Sequence, residues 1–103
     1  MTIKRYTDTE SQTALHSLNS KSTHAWHIED GQLTKTYQFA DFIHAFGFMS
    51  SAALVIEKHN HHPDWRNVYK TVTVQLTTHE VDGLSERDFD LAHELDRLAG
   101  ERR

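Results

Sequence analysis

Glu57, His61, His62 and His79 are the side chains of this sequence best suited to moving protons near neutral pH. They stand in two segments, EKHNHHPDW and TTHE. Pro63 keeps His62 out of the α region, because its ring crowds the preceding backbone. A helix ending at about His61 would carry Glu57 one turn behind it on the same face. The spacing therefore predicts a carboxylate–imidazole pair at a helix C-terminus, in which Glu57 orients His61. A second imidazole sits on the adjoining turn and a third at the end of a distant strand. The competing reading is plainer: histidines at a helix end cap its last carbonyls, Glu57 is solvated, and His79 is an ordinary strand-end residue.

A metal centre built from His59, His61, His62 and His79 is a further alternative, and spacing argues against it. Residues two apart on a helix diverge, whereas zinc pairs on helices are usually four apart. There is no HExxH and no cysteine. His16, His24, His27, His44, His59 and His93 are expected to be solvated bystanders among the nine histidines.

The elements that must position these residues follow from periodicity. Residues 1–5 look like a frayed end. Thr7 to Asn19 predicts a helix capped by Thr7 or Thr9, with Ala14, Leu15 and Leu18 as its apolar stripe. His24 to Glu29 and Leu33 to Phe39 alternate as strands around Asp30-Gly31, a strong tight-turn signal. Asp41 to about His61 is the principal helix, with Phe42, Phe46, Met49, Ala53 and Ile56 as its expected buried stripe. Val68, Val72, Val74 and Leu76 share one parity in the strand region that follows, and Asn67 to Lys70 could be a separate short strand. Ser85-x-x-Asp88 opens the last helix as a capping-box-like signal, so Asp88 is read as a cap rather than as chemistry. Leu91, Leu95 and Leu98 form that helix's buried side.

The predicted order is α-β-β-α-β-β-α. It implies an α+β, two-layer domain: a four-stranded antiparallel sheet with helices on one face. The far face of the sheet or its edges would remain available for self-association.

Composition narrows the function classes. A chain of 103 residues reads as a single domain spanning 1–103 with one modest core. Its formal charge of −4 offers no basic footprint for nucleic acid and no polybasic membrane patch. Phe46 to Ile56, the longest apolar-leaning stretch, is too short to span a bilayer, and no signal peptide is evident. The absence of cysteine removes thiolate chemistry and permits a reducing, cytoplasmic setting.

The ordered set Glu57, His61-His62-Pro63, Tyr69, His79 and Asp88 resembles the pterin-4a-carbinolamine dehydratases. Five residues separate Pro63 from Tyr69, nine separate Tyr69 from His79, and eight separate His79 from Asp88. The text HNHHPDWRNVYKTVTVQLTTHEVDGLSERD and the upstream FADFIHAFGFM also resemble that family, so the likeness runs from about Trp26 to about Leu98. A departure is Asn60, where better-known animal members often carry aspartate.

The resemblance implies dehydration of a 4a-hydroxytetrahydropterin to the quinonoid dihydropterin, a step in tetrahydropterin recycling. That chemistry needs one general acid, one general base and a slot for a flat ring, with no metal or redox cofactor. His61 and His79 would be the acid/base pair, with His62 against the substrate and Glu57 in support. Asn60, Trp65, Tyr69, Thr77 and Thr78 would contact the pterin, Trp65 and Tyr69 as pocket wall. Family members are homodimers or homotetramers. A second hypothesis follows from the same likeness: a non-catalytic dimerisation cofactor or assembly factor that binds a partner protein through the same fold.

Overall fold

The computed structural model describes residues 2–100. Along the chain come α1 (Asp8–Ser20), β1 (His27–Glu29), β2 (Gln32–Gln38), α2 (Phe42–His59), β3 (Asp64–Val68), β4 (Thr71–Leu76), one 3-10 turn (His79–Val81) and α3 (Glu86–Ala99). Thr7 caps α1 reciprocally: its hydroxyl accepts from the Glu10 amide at 3.1 Å while Glu10 Oε1 accepts from the Thr7 amide at 2.9 Å. The expected frayed segment 1–5 includes Met1, which lies outside the described residues; Lys4 reaches Glu10 at 2.8 Å.

The strands form one antiparallel sheet in the order β1-β2-β4-β3. Asp30 and Gly31 join β1 to β2 with φ of 52° and 75°, the left-handed pair that a two-residue hairpin turn demands. β1 is shorter than the alternation suggests, and Trp26 sits just before it, buried. Val68 does not share a face with Val72. It pairs with Thr71 across a turn in which Tyr69 has φ 53°, and it is exposed. The parity from Val68 to Val72 fails because that turn reverses the chain between them.

Leu33, Lys35 and Tyr37 of β2 and Val72, Val74 and Leu76 of β4 point into the helical layer, all buried. The opposite face carries Thr36, Thr73, Gln75 and Arg66, so the uncovered side of the sheet is polar. The apolar surface left open is on α2 instead. Its buried stripe is Ala45, Phe48, Ala52 and Ile56. Phe42 and Phe46 are 45% and 56% exposed, Ala53 is exposed, and Met49 is half-buried. The sequence offers two apolar stripes on α2, and the sheet took the one with alanines at positions 45 and 52, where small side chains let helix and sheet approach closely.

Between sheet and helices lies a buried ion pair that periodicity did not predict. Lys35 Nζ donates to Asp96 Oδ1 and to the His24 carbonyl, each at 2.8 Å. Asp96 also accepts from Tyr37 Oη at 2.6 Å, from Trp26 Nε1 at 3.1 Å and from the Ser22 hydroxyl. The ammonium lies 4.8 Å from the centre of the Tyr37 ring. With four protein donors on one carboxylate, the desolvation of both charges is answered.

Candidate active site

The site begins where α2 stops. Asn60 adopts a left-handed conformation (φ 50°, ψ 43°), which asparagine tolerates better than most residues. Its amide donates to Glu57 O at 3.1 Å, and the His61 amide donates to Ile56 O at 3.4 Å. The helix therefore ends at His59, and His61 lies beyond it rather than on its last turn. This corrects the expected geometry: Glu57 and His61 are not stacked i,i+4. Asn60, expected as a pterin contact, is exposed and serves as the helix cap.

Released from the helix, His61 turns inward. Only 6% of it is exposed, and its Nε2 lies 2.7 Å from Asp88 Oδ1. Asp88 is fully buried at the start of α3. Its second oxygen accepts from the Ser85 amide at 3.0 Å, completing the capping box, and from Thr78 Oγ1 at 2.8 Å. The capping role read from Ser85-x-x-Asp88 is present, and so is a second one. A carboxylate has room for about four hydrogen bonds, so one oxygen caps the helix while the other holds an imidazole.

Thr78 continues the inward parity of Val72, Val74 and Leu76 past the end of β4 and is buried. Its hydroxyl also meets Ser85 Oγ at 2.7 Å. Its amide donates to Gly83 O at 2.9 Å, closing the loop that carries the His79–Val81 turn. His79 itself is exposed and, with Thr77, lines a cavity of about 390 Å³ between the start of α1, the β1–β2 turn and this loop.

Glu57 does have an imidazole partner, and it is His62. Oε1 and Nε2 are 2.6 Å apart, both side chains largely exposed. Pro63 holds the chain extended into β3, so His62 projects back over the last turn of α2 while His61 goes under it. Of the remaining candidates, Trp65 packs against the core from the inward face of β3, and Tyr69 stands 63% exposed at the β3–β4 turn. The geometry thus ties His61 to Thr78 through one carboxylate, sets Glu57 with His62, and puts His79 one residue from Thr78. Tyr69 lies apart from these contacts, at the far end of β4 from Thr78.

His59 is exposed on the last turn of α2. Among the described residues no group of three or more His, Asp or Glu side chains is arranged to hold a metal ion. His44 and His27 pair with Asp41 and Glu29 at the surface. The amide and imidazole of His44 hold the Asp41 carboxyl below its usual range, as befits an N-cap.

Sequence reasoning missed the bond from Asp88 to His61. The available signal was the carboxylate's spare oxygen beside a buried-parity threonine, and it does not say which distant donor arrives.

Comparison with known proteins gives the family and the fold. Residues 4–98 match the sequence model of the family described as pterin 4 alpha carbinolamine dehydratase. A protein of Solibacter usitatus provisionally named pterin-4-alpha-carbinolamine dehydratase is 50% identical over 99 residues, covering 96% of this chain and 98% of its own. A similarly named protein of Rhodopseudomonas palustris (strain BisB18) is 46% identical over 101 residues, with 96% and 95% covered. Among solved structures, a transcriptional coactivator/pterin dehydratase from Brucella melitensis superposes with a TM-score of 0.85 at 40% identity, covering 94% of this chain and all of that one. A pterin dehydratase-like RuBisCO assembly factor of the alpha-carboxysome shares the fold, with a TM-score of 0.68 at 23% identity over 76% of this chain and 93% of its own.

Proposed function

Because the chain belongs to the pterin 4 alpha carbinolamine dehydratase family, we propose that it removes water from a 4a-hydroxytetrahydropterin by histidine acid–base catalysis. In that reaction the C4a–O bond breaks, the N5 lone pair forms the N5=C4a double bond, and the proton on N5 is lost. A general acid delivers a proton to the leaving hydroxyl, and a general base takes the one from N5.

The observation that carries this reading is the state of His61. Asp88 takes its Nε2 as a donor, and no buried side-chain nitrogen or oxygen among the described residues lacks a partner. Nδ1, for which there is no protein partner, therefore reaches the surface and is the nitrogen free to exchange a proton. A buried carboxylate behind an imidazole fixes its tautomer and ring orientation, the arrangement that acid–base histidines use elsewhere. His79, exposed at the cavity, is the second acid/base group. His62, held by Glu57, orients the substrate, and the backbone of Thr77, two residues before His79, offers an edge for the pterin's amide, since the amide and carbonyl of Thr78 are taken within the loop. The flat ring needs only these groups, and no metal or redox cofactor enters the proposed step.

The product is a quinonoid dihydropterin ready for reduction, which sets the enzyme in tetrahydropterin recycling. We assign it to the cytoplasm, a reducing compartment suited to a chain without cysteine; no helix among the described residues is long and apolar enough to cross a membrane. Stopped-flow loss of the carbinolamine's ultraviolet absorbance, with and without the protein, tests the reading. No acceleration over the buffer rate would overturn it in favour of a non-catalytic partner-binding role. Survival of activity in EDTA is expected, and zinc-dependent rescue of lost activity would overturn the metal-free mechanism.

Self-association belongs to the same proposal. Phe42, Ile43, Phe46 and Leu54 are 45%, 78%, 56% and 76% exposed on one face of α2, centred on Ser50. The occupant proposed is a second copy of this helix, antiparallel, with a two-fold axis at Ser50. Phe46 then meets the partner's Leu54, each about 6 Å along the helix from the axis. Gly47, Ser50 and Ala53 leave the crossing shallow. A self-complementary patch of this kind is what an isologous contact requires.

A further inference from the structure

We infer that Ser85 and Thr78 are positioning residues for His61. Their hydroxyls form a one-way hydrogen-bond chain that ends on Asp88 and keeps the carboxylate's other oxygen aimed at the imidazole. The inference rests on the dehydratase reading and deepens it by naming the groups that act behind the acid–base histidine.

Thr78 has nothing left to offer a substrate. Its amide donates to Gly83 O at 2.9 Å, and its carbonyl accepts from the Val81 and Gly83 amides at 3.2 and 3.4 Å. Its side chain is fully buried, so the pterin contact expected from the sequence is closed to it. Ser85, also fully buried, reaches Thr78 because the bridge between Thr78 and Gly83 closes the loop and returns the chain to the end of β4. The two hydroxyl oxygens are then 2.7 Å apart.

Proton counting fixes the direction of the chain. An ionised carboxylate only accepts, so the Thr78 hydroxyl, 2.8 Å from Asp88 Oδ2, gives its one proton to that oxygen. Thr78 Oγ1 must then accept at its 2.7 Å contact, and the donor is Ser85 Oγ. Ser85 Oγ in turn accepts from the Arg87 amide at 3.2 Å. Each hydroxyl thus donates once and accepts once, and the chain runs from an α3 amide through two hydroxyls to Oδ2. Bonds aligned in this way polarise one another. The Ser85 amide, at 3.0 Å, is the second donor to Oδ2. Held by both, the carboxylate does not turn about its Cβ–Cγ bond, and Oδ1 stays 2.7 Å from His61 Nε2. Thr78, Ser85 and Asp88 are all closed to solvent, so they act through His61 and not on the reacting atoms. Thr78 also precedes His79, so the same knot anchors the strand end that carries the second acid–base group.

The test separates the hydroxyl from the fold. Thr78→Val keeps the shape and removes the donor, while Thr78→Ser keeps the donor. With the full chain, kcat and KM are measured for the 4a-carbinolamine. The proton resonance of the His61 imidazole N–H is followed beside them, assigned by its absence in His61→Gln. Thr78→Val should lower kcat by about tenfold, the scale of one hydrogen bond to a charged group, with KM changed by less than about twofold. It should also move or broaden the resonance. Thr78→Ser should return both towards native. Ser85→Ala, one step further along the chain, should lower kcat by about threefold and move the resonance less; it reads the same chain if Thr78→Val does not fold. Native kcat with an unmoved resonance in either folded variant would overturn the inference, as would a loss that Thr78→Ser does not restore. A lower kcat with an unmoved resonance would make Thr78 structural only and overturn it too. A resonance that depends on Thr78, in a native protein that does not dehydrate the carbinolamine, would support the chain and overturn the dehydratase reading.

Discussion

His61 and Asp88, 27 positions apart in sequence, meet through a 2.7 Å contact between Nε2 and Oδ1 in the interior. The same carboxylate caps α3 and takes the Thr78 hydroxyl. One side chain thereby joins the chain leaving α2, the start of α3 and the end of β4. Any substrate group that meets Nδ1 of His61 meets an imidazole already fixed in orientation.

Asp88→Asn is expected to lower kcat by about a hundredfold or more, the usual worth of a positioned acid–base group. An amide cannot accept with both ends. If its NH₂ faces His61, the imidazole must switch tautomer and place its proton on Nδ1. If it faces Ser85 and Thr78, donors oppose donors at the α3 cap. The stability cost should be about 1–3 kcal/mol for the mispaired buried group. Steady-state kinetics beside thermal unfolding separate the two effects, and a native kcat in a folded variant would remove Asp88 from the mechanism.

Single substitutions His61→Ala and His79→Ala should act mainly on kcat, while His62→Ala should also raise KM. Each loss falls within about a hundred- to ten-thousand-fold, softened where the remaining histidine substitutes. The double variant His61→Ala/His79→Ala should approach the uncatalysed rate. A double variant that keeps native kcat would show that the chemistry lies elsewhere.

Glu57 should act through His62. Glu57→Gln is expected to raise KM in the same direction as His62→Ala, and the double variant should be no worse than His62→Ala alone, because the two residues form one unit. Both are exposed, so the change in stability should stay within about 0.5 kcal/mol. Multiplicative effects on kcat/KM in a double-mutant cycle would show that the pair is not functionally coupled.

What was legible in the sequence was local. Asp30-Gly31 specifies its turn through two left-handed residues, Thr7 and Ser85 specify helix starts through their own side chains, and Pro63 keeps the residue before it extended. The α-β-β-α-β-β-α order follows from such signals. The end of α2 was misjudged by two residues because Asn60 reads as a polar helical residue until its left-handed conformation is seen. That shift alone moves His61 from Glu57 to Asp88 and gives Glu57 to His62. The buried face of α2 was read correctly at Ile56 and in part at Met49 but not at Phe42, Phe46 and Ala53, because Phe42/Phe46 and Ala45/Phe48 make two stripes of similar period, and only the depth of the helix–sheet gap chooses between them. Lys35 was visible as a charge at the core parity of Leu33 and Tyr37. Its partner was not, since Asp96 beside Leu95 looks like any solvated helix carboxylate.

Removing one member of the Lys35–Asp96 pair should be the most destabilising substitution considered. Lys35→Met leaves a buried carboxylate without its counter-charge, at a cost of about 3–5 kcal/mol. Ser22, Trp26 and Tyr37 still donate to Asp96, which keeps the charge solvated in part. Urea unfolding at neutral pH measures the loss. A fall of less than about 1 kcal/mol would mean that the remaining donors suffice and that the ion pair adds little.

The α2 face should control assembly without touching the fold. Native protein is expected to run as at least a dimer in light scattering at micromolar concentration. Leu54→Glu puts a carboxylate opposite the partner's Phe46 in the proposed register, and desolvating that charge against an aromatic ring is unfavourable. The variant should therefore fall to a smaller species while its circular dichroism and melting curve stay near native, because Leu54 is 76% exposed in the single chain. Phe46→Glu should do the same from the other side of the contact. If either variant kept the native mass, α2 would not be the interface. The polar sheet face or the exposed edges of β1 and β3 would then have to hold the copies together.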